Sequence, residues 1–201
     1  MRVLPMGSTA ALVEDPPSDP AAWSLGFRAL GLAGVVDIVP AARTVLIRCE
    51  SASALRSAIS RIGDVTPVAA DDQSERPPVV IPVRYDGPDL EQVAGLAGCT
   101  VDEVISLHTS AVYEVAFCGF APGFGYLRGV PLQLQHPRRS TPRTRVPAGS
   151  VAIASEFSAV YPSESPGGWH LLGTTDLAMF DVRREPPALL APSAIVRFEP
   201  K

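Results

Sequence analysis

Val35-Val-Asp-Ile-Val-Pro-Ala-Ala-Arg-Thr-Val-Leu-Ile-Arg-Cys49 decides the first half of the fold. Two runs rich in β-branched residues, Val35–Val39 and Thr44–Cys49, flank Pro40-Ala-Ala-Arg43, so the stretch predicts two strands joined by a turn. Upstream, Asp19-Pro20 supplies a helix N-cap followed by proline at the first helical position. Trp23, Phe27 and Leu30 recur at helical spacing, and Gly31 stops the helix. Thr9–Glu14 before it predicts a short strand. Downstream, Ser51 or Ser53 caps a second helix carrying Leu55, Ile59 and Ile62, and Val65–Ala69 predicts a final strand. The resulting order, β-α-β-β-α-β, is the split-βαβ, ferredoxin-like pattern with helices on one face of an antiparallel sheet.

Ala70-Ala-Asp-Asp-Gln-Ser-Glu-Arg-Pro-Pro78 has the polar, proline-ended composition of a linker. It divides the chain into an α+β domain over 1–76 and a second domain over 77–201. Val79–Tyr85 opens the second domain as a strand. Two short helices follow, Asp89–Leu96 and Val101–His108, the second supported by the capping-box spacing of Thr100 and Glu103. Beyond Ala111, short apolar runs (Val112–Phe117, Val151–Ala154, His170–Leu172, Met179–Val182, Ile195–Phe198) alternate with proline- and glycine-rich segments. That pattern predicts many short strands joined by shaped loops, a β-barrel or sandwich.

Composition excludes several function classes. Among 201 residues there are 17 basic side chains, and the only lysine is Lys201. An internal Schiff-base lysine, a Walker-A phosphate ligand, a carboxylated metal bridge and a biotin attachment site are therefore absent. No run of eighteen apolar residues exists, so no transmembrane helix is expected. Met1–Glu14 makes a poor signal peptide. Cys49, Cys99 and Cys118 are odd in number, far apart and without metal-ligand spacing; free thiols in a cytoplasmic protein are the simplest reading. No metal site is expected. The net charge of −4 argues against a nucleic-acid partner. The 21 prolines, about twice average usage, cluster in the loops considered next.

Val115–Ser155 holds Arg128, Arg138, Arg139, Arg143 and Arg145 and no Asp or Glu. Within it, Pro137-Arg-Arg-Ser-Thr-Pro-Arg-Thr-Arg-Val-Pro147 spaces arginines between prolines, which stiffen the backbone and pre-set the guanidiniums. Two readings stay open: an anion site for carboxylate or phosphate, and a solvated basic face. Gly119-Phe-Ala-Pro-Gly-Phe-Gly-Tyr-Leu127 sets aromatics among glycines. Phe120 and Phe124 are expected in the barrel core more than against a ligand, and Tyr126 is the better pocket residue. In Tyr161-Pro-Ser-Glu-Ser-Pro-Gly-Gly-Trp169, the amides of Gly167 and Gly168 suit an anion nest or a tight turn. Of the histidines, His108 ends a helix as a dipole partner or surface residue, His136 lies beside the arginines, and His170 enters a strand facing solvent. No serine nucleophile elbow, zinc HExxH or paired-carboxylate signature is present.

These blocks together resemble a known family: the B subunit of the bacterial ATP-dependent 5-oxoprolinase, also called allophanate hydrolase subunit 1, a family that includes an inhibitor of a sporulation histidine kinase. The matching pieces are His108 with Tyr113, Gly119–Leu127, Pro137-Arg138 to Pro142-Arg143, Val146-Pro-Ala-Gly-Ser150, Tyr161-Pro162, and Ser165-Pro-Gly-Gly-Trp169. Pro88-Asp-Leu90 and Val93-Ala94 match the preceding helix. Where the family usually has Gly-Asp before the last strand, this chain has Ser193-Ala194.

The resemblance implies a ferredoxin-like or related N-terminal α+β domain and a cyclophilin-like β-barrel. It implies a component of an amide-bond hydrolase, inactive alone, that works with a homologous C subunit in trans, plus a third, the A subunit, to open 5-oxoproline to glutamate with ATP. The ATP site is then shared or lies on a partner. His108, Arg138 and Arg143 are the catalytic candidates. The substrate-binding candidates are Phe120, Pro122, Gly123, Phe124 and Tyr126 in the first loop. Pro147, Gly149 and Ser150 follow, then Tyr161, Ser165, Gly167, Gly168 and Trp169. Two alternatives stand beside this reading: a non-catalytic module that inhibits a histidine kinase, and an allophanate or urea carboxylase type of subunit.

Overall fold

The structure, a computed structural model, describes residues 1–68 and 77–201. The chain divides into two compact units, residues 1–72 and 73–201. Most of the expected linker, residues 70–76, lies outside the described residues.

The first unit runs β1 (Arg2–Pro5), β2 (Ala10–Glu14), α1 (Pro20–Ala29), β3 (Val35–Pro40), β4 (Thr44–Cys49) and α2 (Ala52–Ser60). The Asp19 carboxylate accepts from the amides of Ala21 and Ala22 at 3.0 and 3.3 Å, and Pro20 opens α1. Ser51, not Ser53, caps α2, accepting from Ala54 N at 3.1 Å. The strands form an antiparallel sheet in the order β1-β2-β4-β3. Ala11 and Val13 of β2 and Val45, Ile47 and Cys49 of β4 alternate with less buried neighbours. They form one core with Trp23 and Phe27 of α1 and Leu55 and Ala58 of α2, so both helices cover the same face.

The expected last strand does not form. Val65–Val68 is irregular, and Ala69 lies outside the described residues. β1, an unexpected strand, holds the edge beside β2 where that strand would pair. The segment instead runs along α1, where the Val68 amide donates to Ala22 O at 3.0 Å. Gly26 makes this approach possible: a Cβ there would lie 2.1 Å from the Thr66 carbonyl oxygen.

The second unit runs β5 (Val79–Val83), α3 (Leu90–Ala97), α4 (Val101–Ser110), β6 (Tyr113–Cys118), β7 (Gly125–Arg128), β8 (Arg143–Val146), β9 (Ser150–Ala154), β10 (Phe157–Val160), β11 (Ser165–Gly167), β12 (His170–Thr174) and β13 (Ile195–Pro200). Seven strands make one sheet in the order β12-β9-β10-β7-β6-β13-β5, antiparallel except for the parallel pair β13–β5. Arg84, just after β5, exchanges two 2.8 Å backbone hydrogen bonds with Thr174 of β12, joining the two edges into a nearly closed barrel. The capping box of α4 is complete: Glu103 N donates to Thr100 Oγ1, and the Glu103 carboxylate accepts from Thr100 N at 2.7 Å. Met179–Val182 is not a strand. Met179 is buried as an anchor, while Phe180 makes one isolated bridge to Ala188.

Every residue of β9 is buried because both faces of the sheet are covered. Val151 and Ile153 enter the main core with Leu172, Phe198 and the α3–α4 residues Val93 and Val104. Ala152 and Ala154, with Ala159 of β10, face a second cluster containing Phe124, Tyr161 and Trp169. Small side chains on this face leave depth for a layer of aromatic rings.

Candidate functional site

The two proline-rich segments on either side of the barrel strands are not free loops. Arg143–Val146 and Ser165–Gly167 pair as a two-stranded antiparallel ribbon, β8 with β11. Arg139 N adds a hydrogen bond to Gly168 O at 2.8 Å. The ribbon faces the Gly119–Leu127 segment, and between them lies a cleft of about 230 Å³ lined by residues of all three segments.

Aromatic rings form its wall. Phe124 is the hub, meeting Phe120, Tyr126, Tyr161 and Trp169 edge-on with centroids 5.0–5.7 Å apart. The expectation for the two phenylalanines divides. Phe124 is buried on the sheet as well as lining the cleft, whereas Phe120 is 61% exposed at its rim with φ +67°. Burial pushes the phenols of Tyr126 and Tyr161 above the usual tyrosine range, against the opposing pull of nearby Arg138. For Tyr161, an N–H from the Trp169 main chain also works against the rise. Both phenols stay neutral and can donate hydrogen bonds.

The arginines divide into anchors and a free cation. Asp89, at the start of α3, is almost fully buried and does not cap its own helix. Its carboxylate accepts from Arg143 Nη1 and Nη2 at 2.9 and 2.8 Å, from Arg139 Nη1 at 2.8 Å and from Leu171 N at 2.8 Å. Burial would raise its pKa, but the Arg143 hydrogen bonds, the Leu171 amide and both guanidinium charges hold it below the usual carboxylate range. Arg143 ties the ribbon to Asp89 and is not among the residues that line the cleft. Arg138 is exposed, lines the cleft, and makes no hydrogen bond or ion pair among the described residues. With Arg138, Arg139 and Arg143 set against one carboxylate, the region keeps two positive charges in excess and suits an anion.

Of the other expected residues, Gly167 and Gly168 line the cleft, but neither has a positive φ. The alternating backbone of an anion nest is therefore absent. Pro122 and Gly123 shape the rim turn, with Gly123 against Met179 and Phe180. Pro147, Gly149 and Ser150 form a turn in which Ser150 Oγ donates to Pro147 O at 2.8 Å. None of these five, nor Ser165, lines the cleft. Arg139, Pro142 and Pro166 do line it.

His108 is not among the residues that line the cleft, and its burial corrects the surface reading. It has no solvent exposure and stacks on Phe198 with ring centroids 4.4 Å apart. Ser158 Oγ donates to Ala152 O at 3.1 Å, so it accepts from His108 Nε2 at 3.2 Å. His108 Nδ1 then accepts from Tyr85 Oη at 2.7 Å. Desolvation pulls its pKa down to about 3, so the ring is neutral. His170, expected to face solvent, is also buried. No helix among the described residues is long and apolar enough to cross a membrane, and they contain no cluster of metal-ligating side chains.

The carboxyltransferase-domain family, subdomains C and D, matches residues 1–190. The B subunit of 5-oxoprolinase from Escherichia coli O157:H7 is 41% identical over 206 residues, covering 98% of this chain and 94% of that protein. Its counterpart from Bacillus subtilis, also a 5-oxoprolinase B subunit, is 46% identical over 134 residues, 65% of this chain and 56% of that one. Among solved structures, TTHA0988 superposes with a TM-score of 0.79 at 34% identity; the match covers 96% of this chain but only 40% of that longer one. The urea amidolyase of K. lactis, at 17% identity and a TM-score of 0.73, shares the fold; the match covers 100% of this chain and 16% of that one. By the family match and the full-length relative, the chain belongs to the 5-oxoprolinase B-subunit family of carboxyltransferase-domain proteins.

Proposed function

We propose that this chain is the B subunit of an ATP-dependent 5-oxoprolinase, opening 5-oxoproline to glutamate with a homologous C subunit, plus a third, the A subunit. In this assignment residues 1–76 and 77–201 are its two domains, the second a cyclophilin-like barrel, and the complex is a cytoplasmic hetero-oligomer. The observation that carries the reading is Arg138, an exposed and unpaired guanidinium at a small cleft walled by aromatic rings. A five-membered lactam carrying a carboxylate has the matching chemistry, a flat ring for the aromatic wall and an anion for the arginine. The cleft volume, about 230 Å³, lies below the roughly 300–1,000 Å³ of pockets for drug-sized ligands. No lysine-bearing phosphate loop exists in the chain.

Opening a stable lactam requires activation of its carbonyl and a group to accept a proton. The residues lining the cleft include no carboxylate, imidazole, thiol or amine. Neutral Tyr126 and Tyr161 supply hydrogen-bond donors for a developing negative charge, and Arg138 supplies the positive one. The nucleotide site and the proton acceptor are assigned to the partner subunits. Copurification with the C-subunit homologue, followed by assay of ATP-dependent glutamate release once the A-subunit homologue is present, tests the reading. A stable complex without turnover points to another substrate. No complex at all points to the kinase-inhibitor type of module.

A further inference from the structure

Arg138 has no side-chain partner among the described residues, so its direction is set through its backbone. Two peptide planes flank its Cα. The preceding plane carries the Pro137 carbonyl, which accepts a hydrogen bond from His170 Nε2 at 2.9 Å. The following plane carries the Arg139 amide, which donates to Gly168 O at 2.8 Å. Both tethers end at the Gly168–His170 segment that leads into β12. The Arg139 side chain adds a third tie, to Asp89 and to Gln92 Oε1 at 3.0 Å. A carbonyl oxygen can only accept, so His170 carries its proton on Nε2. His170 is 3% exposed, and its Nδ1 makes no hydrogen bond within the protein. Its one polar side-chain contact is therefore the Pro137 carbonyl.

We propose that His170 is a positioning residue for the cleft: its single hydrogen bond to Pro137 O holds Arg138 where a bound carboxylate meets the guanidinium. The residue touches no ligand and acts through Arg138. The role of Arg138 as the carboxylate partner rests on the function proposed above. The clamp itself does not.

The test uses the full chain with three substitutions. His170→Gln keeps an N–H donor on the side chain, His170→Leu removes it, and Arg138→Ala removes the guanidinium. Backbone 15N relaxation of Arg138 in the chain reads the clamp without any ligand, and calorimetric titration with 5-oxoproline of the chain assembled with its C- and A-subunit homologues reads its consequence. In His170→Leu the Arg138 amide gains nanosecond mobility while the strands β9 and β10 keep theirs, and His170→Gln stays near wild type. Affinity for 5-oxoproline falls about 10-fold or more in His170→Leu, and His170→Gln restores it to within about 3-fold. The double variant His170→Leu/Arg138→Ala binds no more weakly than Arg138→Ala alone, because both act through one contact. Unchanged Arg138 mobility in His170→Leu, or additive losses in the double variant, overturns the proposal. If the assembled wild type fails to bind 5-oxoproline but the mobility result holds, the substrate assignment falls and the clamp stands.

Discussion

Asp89 and Arg143, 54 positions apart, meet through two hydrogen bonds of 2.8 and 2.9 Å at the foot of the arginine ribbon. The carboxylate is almost fully buried while the guanidinium keeps 26% exposure, so removing the acid strands positive charge in a half-buried place. Asp89→Asn should lower the stability of the second unit by about 3 kcal/mol, the lower end of the cost of breaking a buried pair. Arg143→Ala should act in the same direction. Urea denaturation of each variant measures this; stability within about 0.5 kcal/mol of wild type would deny Asp89 its anchoring role.

Gly167 and Gly168 are neighbours with opposite tolerance. A Cβ on Gly167 would lie 2.3 Å from Tyr161 Oη, whereas the nearest atoms to one on Gly168 are Pro142 carbons, at 3.6 Å. Gly167→Ala should destabilise by about 1–3 kcal/mol through overpacking. Gly168→Ala should fold normally and place a methyl group at the cleft, raising the KM for 5-oxoproline several-fold in the assembled enzyme. Thermal melts and steady-state kinetics separate the two effects.

The buried His108 makes stability depend on pH. Its folded pKa is depressed to about 3, while the unfolded side chain titrates near 6.5. Below about pH 6.5 the unfolded chain takes up a proton that the folded chain refuses, so stability is lost as pH falls toward 3. The second unit should be about 2 kcal/mol less stable at pH 5 than at pH 7. His108→Gln should remove most of that difference. Equal pH dependence in the two proteins would show that other groups cause it.

Ser193 sits at φ +68°, in the left-handed region that favours glycine. The left-handed conformation costs an L-residue about 1–2 kcal/mol, partly offset by the greater freedom that glycine loses on folding. Ser193→Gly should therefore stabilise the barrel by about 0.5–1 kcal/mol, read from the shift in denaturation midpoint. The Ser193 amide bond to Val115 O, 2.8 Å, is a backbone contact that the substitution retains.

Local chemistry was legible in the sequence; long-range partnership was less so. The Asp19-Pro20 cap, the Thr100–Glu103 box and the strands around Pro40–Arg43 all depend on neighbours in the chain, and all formed. Arg143–Val146 has no apolar alternation, and becomes a strand only because Ser165–Gly167 lies beside it. Val65–Ala69 has a strand's apolar composition, yet β1 occupies the edge it would need. Asp89 reads as an ordinary helix start, and nothing near it announces two arginines about fifty residues away. His108 did carry a signal: it stands four residues after Val104, on the buried face of α4. The loops that line the cleft stand out through their prolines and glycines, but which arginine remains free depended on the carboxylate that claims the others.

The central claim is that Arg138 meets the substrate carboxylate in a site completed by partner subunits. ATP-dependent glutamate release from 5-oxoproline, by the chain reconstituted with its C- and A-subunit homologues, tests it most directly when wild type and Arg138→Ala are compared. A charge-assisted contact contributes about 1.5–3 kcal/mol, so kcat/KM should fall about 10- to 100-fold while the melting temperature and complex assembly stay unchanged. Full activity in Arg138→Ala, or no glutamate from an intact wild-type complex, would contradict it.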